Sequence, residues 1–204
     1  MAQMMSDTEK VRRAIEGDEV AQRTLYDAHY AAAFRLAYLL LQEVCDAEEV
    51  VQDAFVYLFR NLHRYDAGRG SFWAWLRVAL VSRCRNKRRR RRLPLVSLDV
   101  LDAAGQAPAD PAPASNPADV LELQGTRRAV WEALQQISSG ARDALILRFY
   151  EGLSYAEIAD VLGCSNDAAR ARVAHGKAQL RRLLATPEQR AAREQGDVCE
   201  GTLI

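Results

Sequence analysis

The chain has 204 residues, 49% hydrophobic and 27% charged, a composition that builds a buried core and excludes a disordered chain. No apolar run reaches the roughly 20 residues of a membrane span, and MAQMMSDTEK lacks the charged-then-apolar pattern of a signal peptide, so a cytoplasmic protein without membrane insertion is expected. The cysteines at 45, 84, 164 and 199 and the histidines at 29, 63 and 175 show no CxxC or zinc-ligand spacing, which argues against a metal, a cofactor or a disulfide framework.

The net charge of +1 hides a strong segregation. Residues 1–82 carry 9 basic and 12 acidic side chains, whereas 83–92, RCRNKRRRRR, carry eight basic and none acidic. Residues 93–126 then hold five acids and no Lys or Arg, and 127–184 hold 9 basic and 6 acidic residues. The charge pattern and the prolines divide the chain into a first domain over 8–92, a flexible acidic Pro/Ala-rich linker over 93–118, a second domain over 119–185 and a tail over 186–204. The expected class is all-α: two small helical domains joined by that linker.

In the first domain the clearest helix is DAEEVVQDAFVYLFRNLHRY. Val51, Phe55, Leu58 and Leu62 recur at four, three and four residues and make one apolar stripe. Asp46 and Glu49 suggest a capping box with Asp46 as N-cap. Glu48, Gln52 and Asp53 fall on the solvent side near the helix start. There the acids either complement the helix dipole or form a docking face for a basic partner.

The next helix is expected from Ser71, after the turn DAGRG. Its first half is aromatic and apolar, with Phe72, Trp73, Trp75, Leu76 and Leu80; its second half is basic on every side. An all-round basic end is expected to stay unpacked, and its like charges repel at i,i+4, so a polyanion such as nucleic acid is the natural partner. Phe72 and Trp73 are either core or platforms for unpaired bases, and Trp75 reads as core.

In the second domain, GLSYAEIADVLGCSNDAARARVAHGKAQLRRLL carries a helix-turn-helix pattern. Ser154 and Glu157 form a capping box, and Ile158, Val161 and Leu162 face inward. Gly163 ends the short helix, and Ser165 or Asn166 caps the next one, with Val173 and Leu180 as core. That second helix carries Arg170, Arg172, His175 and Lys177, with Arg170 the best candidate for reading guanine.

These two stretches resemble regions 2 and 4 of the extracytoplasmic-function (ECF) sigma factors of bacterial RNA polymerase. The resemblance covers about 24–92 and 127–184. It implies that Asp46, Glu48, Glu49, Gln52 and Asp53 dock on the clamp helices of the polymerase largest subunit. It also implies that Phe72, Trp73, Ser82, Arg85, Lys87 and Arg88 bind the -10 element. The -35 element falls to Ser165, Arg170, Arg172, His175 and Lys177. Further implied partners are the polymerase flap region and an anti-sigma factor, and the linker is implied to follow a nucleic-acid path through the polymerase.

Two departures stand out. Where the family usually reads Ala-Arg-Asn, this chain has Leu80, Val81 and Ser82. Where it usually reads Gly-Thr-Val-x-Ser-Arg, this chain has Asp167 to Arg172, with His175 where a further Arg is common. Weak or unusual -35 recognition is therefore expected. Competing readings are a stand-alone helix-turn-helix regulator and an interaction protein whose region 4 binds a regulator. No P-loop, paired acidic metal motif or nucleophile constellation supports an enzyme.

Overall fold

The computed structural model describes residues 6–92 and 117–185. Among them the regular elements are helical: α1 (Asp7–Ile15), α2 (Glu19–Leu41), α3 (Val44–Arg60), α4 (Phe72–Arg92), α5 (Pro117–Gln136), α6 (Ser139–Phe149), α7 (Tyr155–Leu162) and α8 (Asn166–Leu184). Two short 3-10 turns, Leu62–Arg64 and Ala67–Arg69, join α3 to α4. The all-α class is as expected. The linker and the tail lie outside the described residues, except that α5 already begins at Pro117, inside the span read as linker. A proline at the first helical position suits its fixed φ and missing N–H. The chain divides into two compact units, the first built on α1–α4 and the second mainly on α5–α8.

In the first unit α2 packs against α1, α3 and α4, and α3 packs against α4. Asp18 starts α2, its carboxylate accepting from the N–H groups of Val20 at 2.9 Å and Ala21 at 3.0 Å. The core holds Leu25, Leu36 and Leu40 of α2, Phe55 and Leu58 of α3, and Phe72, Leu76 and Leu80 of α4. Each such side chain contributes about 1.5–3 kcal/mol by leaving water. The expected stripe of Val51, Phe55, Leu58 and Leu62 is buried throughout.

The start of α3 differs from the sequence reading. Glu43 is the N-cap, and its carboxylate accepts from the N–H of Cys45 at 3.0 Å and of Asp46 at 2.6 Å. Asp46 therefore lies inside the first turn, not at the cap. Glutamate is an uncommon cap, and its longer side chain reaches the same free N–H groups that a shorter acid would.

In the second unit α8 packs against α5 and α6. The Ser154–Glu157 capping box is reciprocal: the Ser154 N–H donates to Glu157 Oε2 at 2.8 Å and the Glu157 N–H donates to Ser154 Oγ at 3.2 Å. Gly163 takes φ +60, the left-handed conformation that ends α7. Ser165 caps α8 through Ala168 N–H at 3.1 Å. Val173 is buried, but Leu180 is half-buried. Gly176 sits against α6, where a Cβ would lie 2.7 Å from Leu145 Cδ1 and 3.3 Å from Ala141 Cβ. Its missing side chain is what lets α8 approach α6 so closely.

Candidate functional site

The exposed side of α3 carries Glu48, Glu49, Gln52 and Asp53, followed by the exposed apolar side chains Val56 and Tyr57. These positions recur at three and four residues, so they form one face. Asp46 does not belong to it, a correction to the sequence reading. Only 5% of Asp46 is exposed, and its carboxylate pairs with Arg91 at 2.8 Å and Lys87 at 3.5 Å, both from α4. Burial pushes the Asp46 carboxyl above its usual range, with Arg91 and Lys87 pulling against it. Glu49 is exposed and pairs with Lys87 as well.

The basic helix α4 begins as expected, with Ser71 Oγ accepting from Ala74 N–H at 3.2 Å. Phe72 is fully buried, packed edge-on to Trp75 and near the rings of Tyr65 and His29. It is a core residue and not a base-stacking platform. Trp75, read as core, is half-buried between Tyr65 and Phe72. Trp73 is half-buried and stacks on His29 with ring centroids 6.2 Å apart. The His29 Nε2 in turn meets Asp7 Oδ2 at 2.8 Å. Trp73 is thus held at the surface on a tethered imidazole.

The basic end is not unpacked, as the sequence suggested. The side that carries Leu76, Leu80 and Cys84 continues into the half-buried Lys87 and Arg88 and then into Arg91, which is exposed but ion-paired. Arg88 Nη1 donates to the Leu40 carbonyl at 3.0 Å, near the end of α2. Burial opposes the Lys87 charge, but Glu49 and Asp46 outweigh it and raise its pKa. The outer side of α4 presents Ser82, Arg85, Asn86, Arg89 and Arg90, all exposed. Part of the charge repulsion is therefore relieved inside the fold.

Arg170, His175 and Lys177 are exposed on α8, Arg172 is half-buried, and Ser165 is exposed at its cap. At 100° per residue the outermost line of α8 runs through Asp167, Ala171, Ala174, His175 and Ala178, all exposed. Arg170 and Lys177 lie to one flank and Arg172 to the other. The flanking cations lean over aromatic rings: Arg170 lies 5.3 Å from the Tyr155 ring centre, and Lys177 lies 5.8 Å from that of Phe149. Arg148 shares Tyr155 at 4.9 Å and also donates to the Leu153 carbonyl at 2.6 Å.

Sequence reasoning missed Gly176, the Glu43 cap, Tyr155 and the α2 ladder of Tyr26, Tyr30, Phe34 and Tyr38, whose successive rings lie 5.1, 6.2 and 6.2 Å apart. The ladder's four-residue spacing was a usable signal. No group of His, Cys, Asp and Glu among the described residues could hold a metal ion, and no described helix is long and apolar enough to cross a membrane.

Comparison with known proteins places this geometry. Residues 25–93 match the model of Sigma-70 region 2, and residues 127–180 match that of Sigma-70, region 4. The chain is 28% identical over 182 residues to the ECF RNA polymerase sigma factor SigK of Mycolicibacterium vanbaalenii, covering 85% of this chain and 87% of that one. It is 32% identical over 177 residues to the ECF RNA polymerase sigma factor SigE of Mycolicibacterium smegmatis, covering 83% and 65%. Among solved structures, CnrH in complex with the cytosolic domain of CnrY aligns with TM-score 0.59 and 27% identity, over 87% of this chain and 96% of that one.

Proposed function

Because the chain belongs to the ECF sigma factors of bacterial RNA polymerase, we propose how its surfaces divide the work of promoter recognition. The exposed α3 face of Glu48, Glu49, Gln52 and Asp53, continued by Val56 and Tyr57, docks on the polymerase clamp helices. Acids beside an apolar pair suit a partner surface that carries basic side chains next to an apolar patch. Trp73 and Ser82 meet the -10 strand, and Arg85 grips phosphate beside them. The α8 helix lies in the major groove of the -35 element, with Arg170, Arg172 and Lys177 on backbone phosphates. The protein acts as a cytoplasmic specificity subunit with no catalysis of its own.

The observation that carries this reading is the pairing, on one unit, of an exposed acidic-apolar face with a basic helix whose outer side is free of carboxylates. A simple operator-binding protein needs no such face. The test is binding to core polymerase: the wild-type chain binds, and Asp53→Arg together with Gln52→Arg abolishes binding without unfolding the chain. Wild-type affinity in that double variant would remove the docking assignment.

The outermost line of α8 favours weak base reading, since it carries Asp167 and three alanines. We further propose that an anti-sigma factor binds this chain, as the cytosolic domain of CnrY binds CnrH.

A further inference from the structure

The basic end of α4 carries cations on every side, since residues 87–92 are consecutive Lys or Arg in a helix. Lys87, Arg88 and Arg91 lie along the line that continues Leu76, Leu80 and Cys84. Each has a partner within the first unit: Asp46 and Glu49 for Lys87, the Leu40 carbonyl for Arg88, and Asp46 for Arg91. Glu43 adds to this at 3.8 Å from Arg91. These partners come from the end of α2, the α3 cap and the first two turns of α3, so they clasp the basic end from one corner. Arg89 and Arg90 project from the other side and are exposed.

We infer that Asp46 is a positioning residue: its buried carboxylate ties Lys87 and the exposed Arg91 back against α3, and so fixes the basic helix with Arg89 and Arg90 aimed away from α3 at DNA phosphates. A sequence reading of the ten-residue basic run treats its charges as equivalent. The structure divides them into a structural set and a nucleic-acid set, four turns from the aromatic start of the helix. A buried carboxylate seldom adds much net stability, because desolvation offsets its ion pairs; in some proteins such a group instead fixes one geometry. Here the defined geometry is the rotation of α4 about its own axis, which decides which arginines face outward. The inference rests on the DNA-binding reading of α4, and it moves Lys87 and Arg88 from the DNA surface to the clasp.

The test uses the full chain and a labelled single-stranded oligonucleotide, with binding followed against salt. Each phosphate contact on a single strand contributes about 0.7 to the slope of log K against log salt. Arg89→Gln and Arg90→Gln should each flatten the slope by about that amount. Lys87→Gln and Arg91→Gln should leave it unchanged. Asp46→Asn should steepen it, because the released Lys87 and Arg91 then reach phosphate, while binding to core polymerase stays at the wild-type level. Slopes flattened equally by Arg91→Gln and Arg89→Gln would overturn the division, whatever Asp46→Asn does to folding. An unchanged slope in a folded Asp46→Asn chain would overturn the role of Asp46. Absence of any salt-dependent binding by the wild-type chain would show that Arg89 and Arg90 are no phosphate surface. Core-polymerase binding by the wild type tests the sigma-factor reading separately, so the two failures are distinguishable.

Discussion

The cations at the end of α4 and those of α8 rest on different neighbours, although α4 also sets Arg83 over the Tyr57 ring, 4.5 Å from its centre. On α4, Lys87 and Arg91 rest on Asp46, with Glu49 and Glu43 close by. On α8, Arg170 and Lys177 rest over the rings of Tyr155 and Phe149. A carboxylate orients a cation and cancels its charge, whereas an aromatic face orients a cation and leaves its charge intact. The first arrangement compensates its cations within the fold. The second keeps them available to phosphate while limiting the rotamers they must give up on binding. A cation's nearest neighbour thus decides whether its charge is cancelled inside the fold or stays available at the surface.

Substitutions can separate the two units. Phe72→Ala should have the largest effect, about 3–5 kcal/mol off the stability of the first unit, because it empties a fully buried aromatic site. Thermal unfolding followed by circular dichroism would measure it, and a variant as stable as the wild type would return Phe72 to the surface. Gly176→Val should come next, at about 1–3 kcal/mol, since any Cβ there meets Leu145 and Ala141. The loss should fall on α5–α8, which amide hydrogen exchange would localise.

Tyr155→Ala should cost less, about 1 kcal/mol for the cation contacts of Arg148 and Arg170. Its sharper effect should be weaker binding to duplex -35 DNA of any sequence, with Tyr155→Phe close to wild type. A change in base preference instead of uniform weakening would show that Arg170 reads bases.

The smallest effect concerns pH. Burial works against the Glu43 charge, but the N–H groups of Asp46 and Cys45, aided by Arg91, hold its pKa below the usual glutamate range. A depressed folded-state pKa gives stability that is present above the usual glutamate value and lost as pH falls through the depressed one. Glu43→Gln should therefore flatten the acid limb of the stability curve and lower stability near neutral pH by roughly 1 kcal/mol or less.

Much of this was legible beforehand because it depends on periodicity. The stripe through Val51, Phe55 and Leu58, the Ser154–Glu157 box and the Gly163 stop are local patterns with local causes. What stayed hidden depends on partners distant in sequence. Asp46 looks like a surface acid in DAEEVVQDAF until α4, some forty residues on, brings Arg91 to it. Phe72 stays open between core and stacking platform until His29 of α2 packs against it. Gly176 looks like a weak point in a helix until α6 arrives against it. The even basic run concealed its two sides because charge composition carries no information about which side continues the core.

As an ECF sigma factor, this chain directs polymerase to promoters. The most direct measurement is run-off transcription from the promoter of its own gene, with bacterial core polymerase in the presence and absence of the chain. Discrete transcripts should require the chain and disappear with the Gln52→Arg, Asp53→Arg double variant. Binding of the chain to DNA without any binding to core polymerase, and without transcripts, would contradict this role and leave a stand-alone helix-turn-helix regulator.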